Sequence, residues 1–165
     1  MPASTPTTRI QAISTHLSPR PNPPQTPHTM SPTETKPPIT CHVLDTTLGK
    51  PAALIPVTLT LHNPPSSSAL HFSATTNTDG RVTSWTPSSS APFTEAQDLE
   101  TLFRLEGDQM YSLTFNTEEY FGERGVRTFF PEVEVKFVVR GEGKGEHYHV
   151  PVLLGPFGYT TYRGS

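Results

Sequence analysis

The sequence HYHVPVLLGPFGYTTYRGS, residues 147–165, alternates like a strand with one buried face and continues past a Pro-Phe-Gly turn. One set of its side chains is uniformly bulky and is predicted to point into a core: Tyr148, Val150, Val152 and Leu154. Aromatic residues persist to the end of the segment, where chain ends are normally unordered. We therefore expect residues 147–165 to be folded and to form part of a site.

The opposite face of this segment carries His149, Pro151 and Leu153. Pro151 has no backbone N–H to donate to a strand ladder, which is expected only at a sheet edge or at a break in the ladder. A face of this composition suits a partner subunit and a small cavity better than bulk water. The segment is therefore predicted to meet another copy of the chain.

Upstream, the composition of the 165 residues changes near residue 38. Residues 1–38 hold many of the 19 prolines, mixed with Ser and Thr. Such a composition buries too little apolar surface to fold, so residues 1–38 are predicted to be a disordered extension. Residues 39–165 are typical of one globular domain, although only 33% of the whole chain is hydrophobic.

The domain contains short segments with period-two alternation, separated by turn residues such as Asp79-Gly80. EEYFGERG, residues 118–125, suits one short helix with Thr117 as its N-cap, and residues 85–100 are a long polar excursion. The pattern predicts an all-β fold, an antiparallel β-sandwich with one short helix. Its predicted strands lie within residues 39–45, 55–62, 69–78, 110–115 and 131–140.

Charge and cysteine content argue against several functional classes. The net charge is −3 and no basic run occurs, so a nucleic-acid partner is not expected. No apolar stretch is long enough to span a membrane. Cys41 is the single cysteine, which excludes an intrachain disulfide and fits a reducing compartment. Cys41 is a candidate nucleophile, but its place beside Val43 and Leu44 favours a small buried residue.

Histidines supply the remaining candidates for chemistry. His42 lies inside the apolar segment ITCHVLD, where a histidine is either a hydrogen-bonded core residue or part of a site. His147 and His149 lie one pleat apart on one face, a spacing found among metal ligands on strands. The sequence shows no third or fourth ligand beside them. A metal-free role is therefore favoured, and no cofactor is expected.

Three segments match a known family. CHVLDTTLGKPA (41–52), TDGR (78–81) and HYHVP…PFGYTTYRGS (147–165) resemble the transthyretin-related 5-hydroxyisourate hydrolases, and the likeness extends over residues 39–165. The terminal Tyr-Arg-Gly-Ser distinguishes these enzymes from the hormone-carrying transthyretins. The resemblance implies a transthyretin-like β-sandwich that assembles into a homotetramer, with active sites in the channel between dimers.

The resemblance also assigns individual residues. His42 and His149 stand where the family places catalytic histidines, and Arg81 stands where it places the substrate-binding arginine. The terminal signature, which is implied to orient the histidines or the substrate, is Tyr162, Arg163, Gly164 and Ser165. Two departures are Gly155, where serine is usual, and Thr160, which keeps the hydroxyl of the usual serine.

The implied reaction is the hydrolysis of 5-hydroxyisourate to 2-oxo-4-hydroxy-4-carboxy-5-ureidoimidazoline in urate degradation. A neutral histidine would take a proton from water, and this base role is assigned jointly to His42 and His149. Arg81 would hold the anionic ring. A Ser-His-Asp hydrolase is disfavoured because no G-x-S-x-G motif occurs. The alternative is a non-catalytic transthyretin-like protein that binds a small ligand.

RIQAISTHL, residues 9–17, resembles the amino-terminal peroxisomal targeting signal, in which an Arg-Ile or Arg-Leu pair stands five residues ahead of His-Leu. If the segment is helical, Ile10, Ile13 and Leu17 share one face. It lacks the continuous apolar stretch of a secretory signal. The protein is therefore expected in peroxisomes, and otherwise in the cytoplasm.

Residues 1–38 fused to a fluorescent reporter are expected to direct it to peroxisomes, because the signal lies within them. Substituting Arg9 or His16 should leave the reporter in the cytosol, as observed by fluorescence microscopy. A fusion that is diffuse before any substitution would remove the targeting interpretation and leave the enzyme prediction untouched.

Overall fold

Two β-sheets enclose a shared core in the computed structural model, which describes residues 36–65, 68–88 and 98–165. Almost all of the predicted extension, including the targeting segment, lies outside the described residues, as does most of the 85–98 loop. The strands are β1 (Ile39–Asp45), β2 (Lys50–Pro51), β3 (Pro56–Leu61), β4 (Leu70–Thr75), β5 (Arg81–Val82), β6 (Thr86–Pro87), β7 (Gln109–Asn116), β8 (Glu132–Val139), β9 (Tyr148–Gly155) and β10 (Gly158–Thr161).

The first sheet has the strand order β10-β9-β1-β2, and β5 also pairs with β1. The second sheet has the order β6-β4-β3-β7-β8. Every pairing is antiparallel except that of β1 with β9, which is parallel, with Ile39 opposite Tyr148 and Asp45 opposite Leu154. The predicted all-β sandwich is thus confirmed. Its one parallel pair was not predicted, because two strands distant in sequence pair in a direction that local patterns do not encode.

Alternation along the strands places one face of each sheet in the core. The four bulky residues predicted for β9 are all buried: Tyr148, Val150, Val152 and Leu154. From β1, the core receives Ile39, Cys41 and Val43. Burial of Cys41 raises the pKa of its thiol to about 12, although a backbone hydrogen bond involving Val82 opposes the rise. The thiol is therefore protonated at neutral pH, and the prediction of a small buried residue is confirmed.

The described residues form two short α-helices, α1 (Leu99–Phe103) and α2 (Thr117–Gly122), and a 3-10 turn at Gly141–Gly143. None of the helices in this part of the chain has the length and apolar character needed to span a bilayer. α1 lies at the end of the predicted polar excursion. It was missed because a helix of five residues is too short to show a helical period.

Helix α2 is the predicted helix, but its cap differs from the prediction. The side chain of Asn116 accepts a hydrogen bond from Glu119 N at 3.1 Å, so Asn116 is the N-cap. Thr117 is the first helical residue instead, and its hydroxyl donates to the carbonyl of Phe130. Asn and Thr are both good caps, so the sequence could not discriminate between adjacent candidates.

The buried carboxylate of Asp45 joins the end of β1 to helix α2. Its oxygens accept from Thr47 N at 2.8 Å and from Thr47 Oγ1 at 2.6 Å. They also accept from the Tyr120 hydroxyl at 2.9 Å and from the Arg124 guanidinium at 2.7 Å. Burial alone would raise the pKa of Asp45, but the hydrogen bonds and the Arg124 charge outweigh it and lower that pKa. Asp45 is therefore ionised and satisfied at neutral pH.

Asp45→Asn is expected to lower the free energy of unfolding by about 1–3 kcal/mol, because the amide cannot accept all of the hydrogen bonds that the buried carboxylate accepts and Arg124 loses its counter-ion. The stabilisation depends on a lowered carboxyl pKa. It is therefore fully present above the unfolded-state pKa of about 3.9 and is lost as the pH falls through the folded-state value. Urea unfolding at neutral and acid pH, at one protein concentration, measures both effects.

The control for this experiment is Asp108→Asn, which removes an exposed ion pair with Arg140. Because solvent screens exposed pairs, this variant should barely move the unfolding midpoint. A wild-type midpoint for Asp45→Asn at neutral pH would show that the buried pair does not stabilise the fold.

Candidate active site

Strand β1 places the candidate residues beside one another on the first sheet. On one side, His42 lies opposite Arg81 of β5. On the other side, Thr40 lies opposite His149 of β9, and His42 lies opposite Pro151. The three residues predicted to carry the chemistry, His42, Arg81 and His149, are thus gathered from three neighbouring strands onto one sheet.

The turn before Arg81 is shaped by Gly80. Its φ is +69°, and a Cβ at this position would lie 2.3 Å from the carbonyl oxygen of Val43. Only glycine fits there, and its carbonyl accepts from Val43 N at 2.8 Å. The Asn77 side chain also accepts from Arg81 N at 3.0 Å. The predicted Asp-Gly turn is confirmed, and it holds Arg81 against β1.

A cavity of about 440 Å³ opens on the first sheet beside Thr40, Arg81 and His149. It includes the predicted residues Arg81, His149 and Ser165, and the full lining is Lys36, Pro37, Thr40, Cys41, Arg81, Val82, Thr83, His147, His149 and Ser165. His42 neighbours Arg81 but does not line the cavity. A larger groove of about 1050 Å³ also touches Arg81, but its lining contains no histidine, so we place the candidate site in the smaller cavity.

Both candidate bases have lowered pKa values. Desolvation lowers the pKa of His42, and the Arg81 charge lowers it further, against the opposing influence of Asp79. Desolvation also lowers the pKa of His149, followed by the charges of Arg81, His147, His42 and Lys36. Both imidazoles are therefore neutral at neutral pH, the form that can accept a proton.

Thr40 is a site residue that the sequence analysis missed. Its Oγ1 lies 2.9 Å from His147 Nε2 and 2.9 Å from His149 Nδ1, and the residue is 7% exposed. The two histidine rings are nearly parallel, at 17°, with centroids 6.3 Å apart, which confirms that they share one face. No local pattern identifies a threonine in a strand as the hydrogen-bond partner of two histidines, because the contact joins residues more than 100 positions apart.

The candidate metal role for His147 and His149 was disfavoured in the sequence for lack of further ligands. Across residues 36–65, 68–88 and 98–165, no three His, Cys, Asp or Glu side chains are grouped so that they could hold a metal ion. Thr40, a neutral hydroxyl, occupies the position between the two rings instead. This arrangement suits proton transfer between the rings.

The last residues of the chain pack against His149. Gly164 N donates to the His149 carbonyl at 2.9 Å, and a Cβ on Gly164 would lie 2.7 Å from His149 Cδ2. Tyr148 N donates to Pro38 O, so by alternation the Pro151 nitrogen faces the opposite edge of β9, where β10 ends at Thr161. The ladder is therefore broken at Pro151, as predicted, and the chain end is ordered against the site.

Tyr162 and Arg163 point elsewhere in this chain. The Arg163 guanidinium lies 5.1 Å from the ring centroid of Tyr148 and pairs with Glu146. Tyr162 and Arg163 line a separate cavity of about 260 Å³, on which His149 also borders. Of the four signature residues, Gly164 and Ser165 are thus the ones beside the candidate site. Substrate contact by Tyr162 and Arg163 stays a prediction.

Comparison with known proteins places the chain in a family. The model of the HIUase/Transthyretin family matches residues 39–164. The chain is similar to the probable 5-hydroxyisourate hydrolase of Schizosaccharomyces pombe, with 41% identity over 78% of this chain and 92% of that protein. It is also similar to the 5-hydroxyisourate hydrolase of Mus musculus, with 39% identity over 78% of this chain and 95% of that protein.

A solved structure supports the same assignment. The 5-hydroxyisourate hydrolase of Klebsiella pneumoniae superposes with a TM-score of 0.52 and 29% identity, covering 77% of this chain and 98% of that chain. The match to the family model covers well over half of the chain. The predicted family and enzyme class are therefore confirmed: the chain belongs to the HIUase/Transthyretin family and is a hydrolase.

Proposed function

We propose that this protein hydrolyses 5-hydroxyisourate to 2-oxo-4-hydroxy-4-carboxy-5-ureidoimidazoline, within urate degradation. The observation that carries the proposal is the cavity of about 440 Å³ on which Arg81, His149 and Ser165 meet. It combines a neutral base, His149, with the positive charge of Arg81. Relatives of similar length are named for this activity, at 41% and 39% identity.

The first requirement of the reaction is a water made nucleophilic. His149 is half-buried, and its lowered pKa keeps it neutral where an exposed histidine would be partly protonated. Its Nδ1 is engaged by Thr40, so Nε2 is the ring nitrogen left for water. His42, neutral for the same reason, lies on the adjacent strand β1, two residues beyond Thr40, and shares the base role in this proposal.

The second requirement is to hold an anionic, planar ring and stabilise the oxyanion that develops on it. Arg81 lines the cavity, and its planar guanidinium fork suits paired oxygen and nitrogen acceptors. Lys36 adds a second positive charge at the same cavity. Cations at a partly desolvated site favour an anionic substrate and the still more anionic transition state.

The rival proposals lack comparable support. A non-catalytic ligand-binding protein would not need two histidines of lowered pKa beside one arginine. Among the described residues, the arrangement most similar to a serine triad is that of Ser112, His62 and Glu134, and its geometry does not fit a triad. His62 Nε2 lies 2.8 Å from Ser112 Oγ, but Glu134 approaches that same nitrogen at 3.9 Å. A triad acid must bind the other nitrogen.

We also propose that the enzyme works as a homotetramer in peroxisomes. Exposed apolar residues surround the Pro-Phe-Gly turn and the face of His149: Phe129 at 72%, Phe157 at 74%, Tyr159 at 40% and Leu153 at 39% exposure. Burying such a patch favours association. An active monomer in light scattering would contradict the assembly, and the reporter fusions described above test the targeting.

His42→Ala and His149→Ala should each lower kcat/KM by about 10²–10⁴-fold, the usual contribution of a positioned base. If the two histidines act on one water, the double variant should be little worse than the worse single variant. The assay follows ultraviolet absorbance of 5-hydroxyisourate formed by urate oxidation in situ. His71→Ala, on the second sheet, is the control and should keep wild-type activity. A wild-type protein that fails to speed decay of the intermediate would refute the proposed function.

Gly164→Ala should lower activity by up to about 10²-fold, because its Cβ would displace the chain end from His149 and Pro151. The sandwich core should be unaffected, so circular dichroism should match the wild type. Gly158→Ala is the matched control, since a Cβ there meets nothing within 4 Å. Deletion of residues 163–165 should act like Gly164→Ala. Full activity after that deletion would mean that the chain end serves only for packing.

A further inference from the structure

We propose that Thr40 is a positioning residue that fixes the tautomer of His149 and relays its proton to His147. The proposal rests on the proposed function for its catalytic meaning, but the tautomers it specifies are properties of the resting protein. The observation that supports it is the position of the Thr40 hydroxyl, which lies 2.9 Å from both His147 Nε2 and His149 Nδ1.

A hydroxyl has one proton, so Thr40 can donate only one of these two hydrogen bonds and must accept the other. Each histidine therefore determines the state of its partner. If His149 Nδ1 carries a proton, Thr40 accepts from it and donates to His147 Nε2. If His149 Nδ1 is bare, Thr40 donates to it and accepts from a protonated His147 Nε2.

Catalysis selects the first of these two arrangements. A histidine that activates water must present a free lone pair, and the nitrogen of His149 not bound to Thr40 is Nε2. The proton of neutral His149 must then lie on Nδ1, donated to Thr40. His147 Nε2 accepts from Thr40, so the proton of neutral His147 lies on its Nδ1. In both neutral rings, Nδ1 carries the proton.

Positive charge surrounds His149 and opposes a lasting imidazolium there. Desolvation lowers its pKa most, and four further groups lower it in turn: Arg81 of β5, His147 of β9, His42 of β1 and Lys36 before β1. No carboxylate contributes to that shift. The proton that His149 accepts from water is therefore better held at a position farther from Arg81.

The relay moves that proton without net gain or loss. Water gives a proton to His149 Nε2, and the hydroxide oxygen bonds to the acyl carbon. The Nδ1 proton passes to Thr40 Oγ1 as the Thr40 proton passes to His147 Nε2. The carbon–nitrogen bond of the ring then breaks, its electron pair stays with nitrogen, and nitrogen takes the Nε2 proton of His149. His147 returns its Nε2 proton through Thr40 to His149 Nδ1, which restores both resting tautomers.

Exposure gives the relay its direction. His149 is half-buried and His147 is exposed, so the path leads from the cavity to bulk water. Thr40 itself is only 7% exposed, which keeps solvent from bypassing the hydroxyl. The same bond type occurs on the second sheet, where Thr60 Oγ1 lies 3.0 Å from His71 Nδ1 and Thr60 is also 7% exposed. That pair provides a matched control outside the site.

The first experiment reads the tautomers directly. Two-bond proton–nitrogen correlation spectra of the full-length protein, labelled with ¹⁵N-histidine, should show Nδ1–H tautomers for His149 and His147 at neutral pH. Thr40→Val, which keeps the shape but removes the hydroxyl, should change both signals to mixed tautomers. Thr60→Val should change His71 alone. An Nε2–H tautomer of His149 in the wild type would overturn the proposal, whatever the enzyme hydrolyses.

The second experiment measures turnover. Thr40→Val should lower kcat by about 10–100-fold, as loss of a group that orients a working histidine does, with little change in KM. Thr40→Ser should restore most of the activity, and Thr60→Val should equal the wild type. Wild-type kcat in Thr40→Val would overturn the proposal.

A buffer test separates proton relay from packing. The activity of His147→Ala should rise with added imidazole, because a small base in solution can replace the missing proton acceptor. Activity that does not respond to imidazole would overturn the relay to His147. If the wild type shows no hydrolysis of 5-hydroxyisourate, the proposed function fails, and the tautomer spectra still decide the role of Thr40.

Discussion

The hydrogen bonding of β1 along both of its edges is the constraint on which the site depends. β9 pairs with one edge over the whole strand, while β5 and β2 share the other. At two positions a neighbouring strand or loop approaches too closely for any side chain, and glycine stands at both. A Cβ at Gly80 would lie 2.3 Å from the Val43 carbonyl oxygen, and one at Gly164 would lie 2.7 Å from His149 Cδ2. The glycines of TDGR and of the terminal signature are thus needed for the same reason, close approach to β1 or β9.

Two groups of charged residues at the first sheet have different roles. The carboxylate of Asp45 is fully buried and is neutralised by Arg124, so it joins β1 to α2 and takes no part in the cavity. The cavity holds Arg81 and Lys36, and its lining contains no Asp or Glu side chain. Desolvation and the nearby charges of Arg81 and Lys36 keep His149 unprotonated. The same two cations attract an anion, so one arrangement supports both base catalysis and substrate binding.

Features with a local cause were predicted well. Alternation identified the buried face of β9, the Asp-Gly pair identified the turn before Arg81, and the apolar flanks of Cys41 identified a core residue. Features with a non-local cause were not predicted. Helix α1 is too short to show a period, and its stability comes from burying Leu99, Leu102 and Phe103. Asn116 rather than Thr117 caps α2, because the Thr117 hydroxyl donates to the distant Phe130 carbonyl instead.

The sequence by itself determined the longer strands, the family and the candidates His42, Arg81, His149 and the terminal signature, because each depends on residue type and short spacing. The two-residue strands β2, β5 and β6 were not predicted. Only the tertiary structure decided which of these residues share a cavity. The parallel pairing of β1 with β9 brings Thr40 to His149 across more than 100 residues. It also leaves Arg163 stacked on Tyr148 rather than facing the cavity. Such contacts arise from the packing of distant segments, where the free energy of the whole core selects the pairing and no local pattern records it.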